Sequence, residues 1–149
     1  MKREKIFKGV KRVVIKIGTN VLTSANNRLD LSIIEHLVEQ VCYLIKEKGI
    51  KVIIVTSGAI GAGMQILGWK KRPMEISKLQ AAASVGQSRL MRVYDRLFRE
   101  EGINVGQILL TRDAFTISER RKNARETINT LLALNVVPII NENDSVAVE

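Results

Sequence analysis

Short β-branched runs alternate along the chain with longer amphipathic ones. Four runs read as strands, at residues 13–17 (VVIKI), 52–56 (VIIVT), 105–111 (VGQILLT) and 136–140 (VVPII). Near-continuous apolar strands such as VIIVT suit a parallel sheet that is covered on both faces. Between the first two strands lies an amphipathic helix. Asp30 or Ser32 is placed to cap it, Ile33, Ile34, Leu37, Val38, Val41, Leu44 and Ile45 form its apolar stripe, and Gly49 is placed to end it. Pro73 opens a second helical region that runs to about Glu101, with a break expected at Gly86 and a stop at Gly102. A third helix is expected over residues 118–134, with Ala124, Ile128, Leu131 and Leu132 turned inward. Parallel neighbours need a helix to return the chain, so this alternation predicts an open, doubly wound, mainly parallel α/β sheet with helices on both faces.

The 149 residues, 46% hydrophobic and 26% charged, suit one globular unit with a real core. No apolar run approaches the roughly 20 residues of a membrane span. The basic start MKREKIFKGVKR leads into a strand rather than a signal-peptide core, so a cytoplasmic protein is expected. The single cysteine, Cys42, falls beside the stripe of the first helix and reads as packing.

Lys and Arg number 24 against 15 Asp and Glu, a formal charge of +9 that raises a polyanionic partner as an alternative. The basic residues are scattered, however, over the N-terminal segment, KKR at 70–72 and RRKNAR at 120–125. Arg89, Arg92, Arg96 and Arg99 stack along one side of a helix whose other side carries Leu90, Val93, Tyr94 and Leu97. That row reads either as a solvated face or as a contact for a subunit or acidic partner. Aromatic residues make up 4% of the chain, too few for the stacking platforms of many single-strand binders, so nucleic acid is the weaker alternative.

Ligands of doubly wound sheets collect beyond the carboxyl ends of the strands. That rule selects KIGTN at 16–20, SGA at 57–59, TRD at 111–113 and NEND at 141–144. The stretch VTSGAIGAG at 55–63 is neither of the common phosphate motifs. It offers the Ser57 hydroxyl and the backbone N–H groups of Gly58 and Ala59 at a helix start, which favours anions. Gly61 and Gly63 read as close-packing positions. Lys16 sits in a run that otherwise reads as buried. Either it meets a phosphate together with the Gly18-Thr19 turn, or it lies on an edge and snorkels to water. NEND reads either as an ordinary polar turn or as acceptors for an ammonium group or a Mg²⁺ shell. Cation-seeking and anion-seeking groups at one sheet edge fit an amino acid. His36, the only histidine, lies mid-helix without a nucleophile beside it, and one His with one Cys gives no readable zinc site.

The segments VVIKIGTNVLT, VTSGAIGAG, KLQAAASVGQ, QILLTRD and NARETINTLLALNVVPIINENDSV together resemble the glutamate 5-kinases, a branch of the amino acid kinase family. One departure is Thr56, where that pattern frequently has serine. The resemblance implies transfer of the ATP γ-phosphoryl group to the side-chain carboxylate of L-glutamate, the first step of proline biosynthesis. Carried over position by position, Lys16 would meet the phosphates and the transferred group, with Gly18 and Thr19 beside it. Ser57, Gly58 and Ala59 would receive glutamate, and Asp144 with Asn141 would hold its amino end. The family also implies Mg²⁺, a homo-oligomer and feedback inhibition by proline. Its pattern continues past NEND with ATP-side residues and often a C-terminal PUA domain. Residues 1–149 are therefore expected to be the glutamate-side, N-terminal part of one truncated amino acid kinase domain. The alternatives are a noncatalytic amino-acid-binding or assembly module and a basic nucleic-acid-binding module.

Overall fold

The computed structural model describes residues 8–22 and 29–146, so part of the basic N-terminal segment and Thr23 lie outside the described residues. Strand β1 (Arg12–Ile17) pairs along its length with β2 (Lys51–Thr56), and β4 (Val136–Glu142) lies between β2 and β3 (Asn104–Leu110). All pairings are parallel, in the order β1-β2-β4-β3. Six helices complete the order: α1 (Thr19–Leu22) and α2 (Leu31–Lys46) after β1, α3 (Ala59–Ile66) and α4 (Ile76–Glu100) after β2, and α5 (Asp113–Thr116) and α6 (Ser118–Ala133) after β3.

The strand order explains which helix covers which face. The chain steps from β1 to β2 to β3 in one direction and turns back for β4, so right-handed crossovers put α6 opposite α2 and α4. Side chains agree. Val13, Ile15 and Ile17 of β1 and Val137 and Ile139 of β4 pack in one core with α2 and with Leu90, Tyr94 and Phe98 of α4. On the other face, a Cβ at Gly106 of β3 would lie 3.0 Å from Leu131 of α6, and Arg12 donates to Asn129 of α6 at 3.2 Å. Helices therefore lie on both faces, as the alternation predicts. Leu132 of α6 is buried, and Ala124, Ile128 and Leu131 are half-buried.

Several expectations are refined. Asp30, not Ser32, caps α2, its carboxylate accepting from the backbone N–H groups of Ser32 and Ile33. Ile33 of the expected stripe is exposed. Helix α4 starts at Ile76, three residues beyond Pro73, and runs unbroken through Gly86. The absent side chain at Gly86 serves close packing: a Cβ there would fall 1.7 Å from the Ala59 carbonyl oxygen of α3, and one at Gly63 would fall 1.8 Å from that of Ala82 in α4. Cys42 is buried, and burial pushes its thiol pKa up, which fits the packing role. Strand β4 extends two residues past its expected end, so Asn141 and Glu142 are ladder residues opposite Leu109 and Leu110 rather than parts of a turn.

Candidate functional site

Helix α3 begins where β2 stops. Gly58 caps it at φ 99°, a left-handed conformation that glycine adopts at little cost, and its carbonyl accepts from Ala62 at 2.9 Å. The first-turn N–H groups are left facing outward beside Ser57, giving the end of β2 a positive partial charge. Thr56, the departure from the usual serine, is buried in the core face, where its hydroxyl lies 3.1 Å from the Tyr94 hydroxyl of α4.

Around this helix start opens a cavity of about 480 Å³, lined by residues from the carboxyl ends of all four strands. Lys16 and Thr19 come from the end of β1, Ser57, Gly58 and Gly61 from the β2–α3 junction, Arg112 from the end of β3, and Asn141, Glu142 and Asp144 from the end of β4. Arg72, on the connection between α3 and α4, completes it. Three cations thus face two carboxylates. Gly61, expected as a packing position, lines the cavity, whereas Gly63 takes the packing role.

Lys16 does not sit buried in its strand. β1 is the edge of the sheet, its residues alternate, and Arg12, Val14 and Lys16 lie on the exposed side. The edge reading holds, and the same exposed side chain lines the cavity. Gly18 supports it indirectly, its carbonyl accepting from Val21 at 3.0 Å to start α1. Ala59 falls on a neighbouring cavity of about 430 Å³, which shares Glu142 and Asp144 with the first and is bounded by Gln87 and Asn143.

The β4 end is held by hydrogen bonds that fix the Asn141 amide. Asn141 is buried, donates through Nδ2 to Gln87 Oε1 of α4 at 2.7 Å, and accepts on Oδ1 from the Glu142 N–H at 2.9 Å. Asp144 is half-buried, and burial together with the Glu142 carboxylate raises its pKa above the usual carboxylate value, with Arg72 opposing the shift. In TRD, Asp113 is engaged by the Thr111 hydroxyl and the Arg120 guanidinium, which ties β3 to α6 beside Arg112. His36 is exposed on α2 next to Glu39, away from the cavity. Of the arginine row on α4, Arg96 lies 3.7 Å from Glu35 and Arg99 lies 2.6 Å from Asp95, so half of it is neutralised locally.

Residue-by-residue reading of the sequence missed Arg72, which sits in KKR and looks like any solvated charge. It gave Arg112 a strand end but no role. Nothing in the local pattern distinguishes Arg72; only the course of the α3–α4 connection brings it over the site.

Residues 11–149 match the amino acid kinase family. The chain belongs to that family. It is 49% identical over 147 residues to a glutamate 5-kinase of Geobacter sp. strain M21, covering 99% of this chain and 39% of that protein. Glutamate 5-kinases of Clostridium acetobutylicum and Lactococcus lactis subsp. lactis are 48% and 47% identical, over 99% and 100% of this chain and 55% and 54% of theirs. The chain therefore spans between about two-fifths and just over half of the length of these curated relatives. The parallel sheet with helices on both faces is the architecture expected for an amino acid kinase fold, and no helix among the described residues is long and apolar enough to cross a membrane.

Proposed function

We propose that the chain forms the acceptor side of a glutamate 5-kinase, holding L-glutamate while ATP transfers its γ-phosphoryl group to the side-chain carboxylate. The observation that carries this reading is the convergence of Lys16, the Ser57-Gly58 helix start and Asp144 on one cavity. The relatives' names supply the substrate. Asp144 receives the ammonium group, with Asn141 fixed beside it by Gln87. The N–H groups opening α3 and the Ser57 hydroxyl receive the carboxylate that reacts. One of its oxygens attacks the γ-phosphorus, and the bond to the ADP oxygen breaks as Lys16 offsets the charge on the transferred group. A glutamate carboxyl with an ordinary pKa near 4.3 is already ionised at neutral pH, so no general base is required and positioning dominates.

Mg²⁺ carried by the nucleotide would supply charge neutralisation at the phosphates. One acid is left for such a role, because Mg²⁺ takes only one or two carboxylates beside phosphates and water, and Glu142 also lines the cavity.

Calorimetric titration of L-glutamate into the chain tests the reading. Wild type should bind, and Asp144→Asn should weaken binding by roughly tenfold or more, as expected for losing a partly buried, charge-assisted hydrogen bond. Unchanged affinity in the variant would remove Asp144 from the site.

A further inference from the structure

Arg72 and Asp144 line the same cavity from opposite elements, the α3–α4 connection and the end of β4. They form no ion pair with each other within 4 Å among the described residues, so space separates them. Arg72 stands near enough for its charge to favour the ionised Asp144 carboxylate, against burial and Glu142. The cavity thus has two ends. At the β1–β2 end, Lys16 stands in register with Val55, two residues before Ser57. At the other end, Asp144 and Arg72 present opposite charges across a gap.

An α-amino acid carries its ammonium and carboxylate on one carbon, so their partners must be a close acid and base. We propose that Arg72 binds the α-carboxylate of the amino-acid substrate while Asp144 binds its ammonium group, making this end of the cavity selective for the zwitterionic headgroup. This rests on the reading that glutamate is the acceptor. A planar guanidinium with a fork of donors matches a carboxylate in two parallel hydrogen bonds, which a lysine cannot reproduce. Pro73 biases the Arg72 backbone toward an extended conformation, so the side chain is offered from a stiffened connection. With Arg72 and Asp144 taken up by the headgroup, Lys16 faces the reacting end and the phosphate.

The experiment compares L-glutamate with 4-aminobutyrate, which keeps the ammonium and the reacting carboxylate but lacks the α-carboxylate, by calorimetry on wild type, Arg72→Met and Arg72→Lys. Wild type should favour glutamate by about tenfold or more, with undetectable 4-aminobutyrate binding counting as that preference. Arg72→Met should cut glutamate affinity by about tenfold or more while leaving 4-aminobutyrate within about twofold, and Arg72→Lys should retain part of the preference. Glutamate affinity within about threefold of wild type in Arg72→Met, or an equal loss for both ligands, overturns the assignment of Arg72. Absence of glutamate binding in wild type overturns the acceptor reading itself, and this proposal with it.

Discussion

Asp144, proposed above to bind the substrate ammonium group, is held at the expense of the fold. Burial and the Glu142 carboxylate both disfavour its ionised form, and Arg72 offsets them only in part. Its folded-state pKa is raised, so the protonated carboxyl stabilises the fold below the unfolded-state value. That contribution is lost as pH rises through the folded-state value. At neutral pH the empty site therefore carries an unfavourable charge. Asp144→Asn should raise Tm at pH 7, and the gain should vanish at acid pH, where wild-type Asp144 is neutral as well. Thermal unfolding at both pH values without ligand checks this; a fall in Tm at pH 7 would mean that the carboxylate has a stabilising partner. Added glutamate should reverse the order, because the ammonium group favours the ionised form. That Lys16, Ser57 and Asp144 meet at one cavity was legible in the sequence, since each lies at or beyond the carboxyl end of an apolar strand and the strand-end rule selects them without further information. The bond from Asn141 to Gln87 was not: it joins residues 54 positions apart, and no local pattern encodes which helix face meets which strand end.

Among the elements, the junction between α3 and α4 decides whether the helix start at Ser57-Gly58 points into the cavity. Their backbones touch at Gly63 and Gly86, each with no room for a methyl group against the facing main chain. Gly→Ala inside an exposed helix ordinarily gains up to about 1 kcal/mol through lower backbone entropy. At Gly86 the sign should invert, and Gly86→Ala should destabilise by about 2 kcal/mol or more, because overpacking against backbone cannot be relieved by a rotamer change. Urea unfolding measures this, and a stabilised Gly86→Ala variant would show that the helices are not in backbone contact. Sequence reasoning expected a helix break at Gly86 because glycine interrupts helices by propensity. Tertiary packing overrides that preference, and a single chain does not reveal what lies across from a glycine. The four strands and three long helices were legible because period-2 and period-3.6 patterns are local. The edge position of β1 was only one of two readings, since strand order is set by crossovers rather than by composition.

At the scale of the whole molecule, the cavity supplies the proposed amino-acid headgroup site and one lysine, Lys16, on the exposed side of an edge strand. On that side Val14 is 60% exposed, and near α6 Phe115 is 63% exposed, leaving apolar surface that the described helices do not cover. The relatives are about twice as long as this chain or more. Phosphoryl transfer depends on placing the γ-phosphorus in line with the acceptor, and Lys16 alone cannot orient a nucleotide. The polypeptide 1–149 is therefore expected to bind glutamate, to self-associate through the uncovered apolar surface, and to show no glutamate-dependent ADP release. Supplying in trans the remaining C-terminal part of the Clostridium acetobutylicum relative, which is 48% identical over the shared region, should restore turnover if the two parts dock. Lys16→Met in the same pair should lower kcat by roughly a hundredfold, the loss expected for one preorganised charge at the transferred group. A coupled ADP-release assay decides the matter. Turnover of about 1 to 100 per second by the 149 residues alone would show that the phosphate clamp is complete within the chain or across a contact between two copies of it.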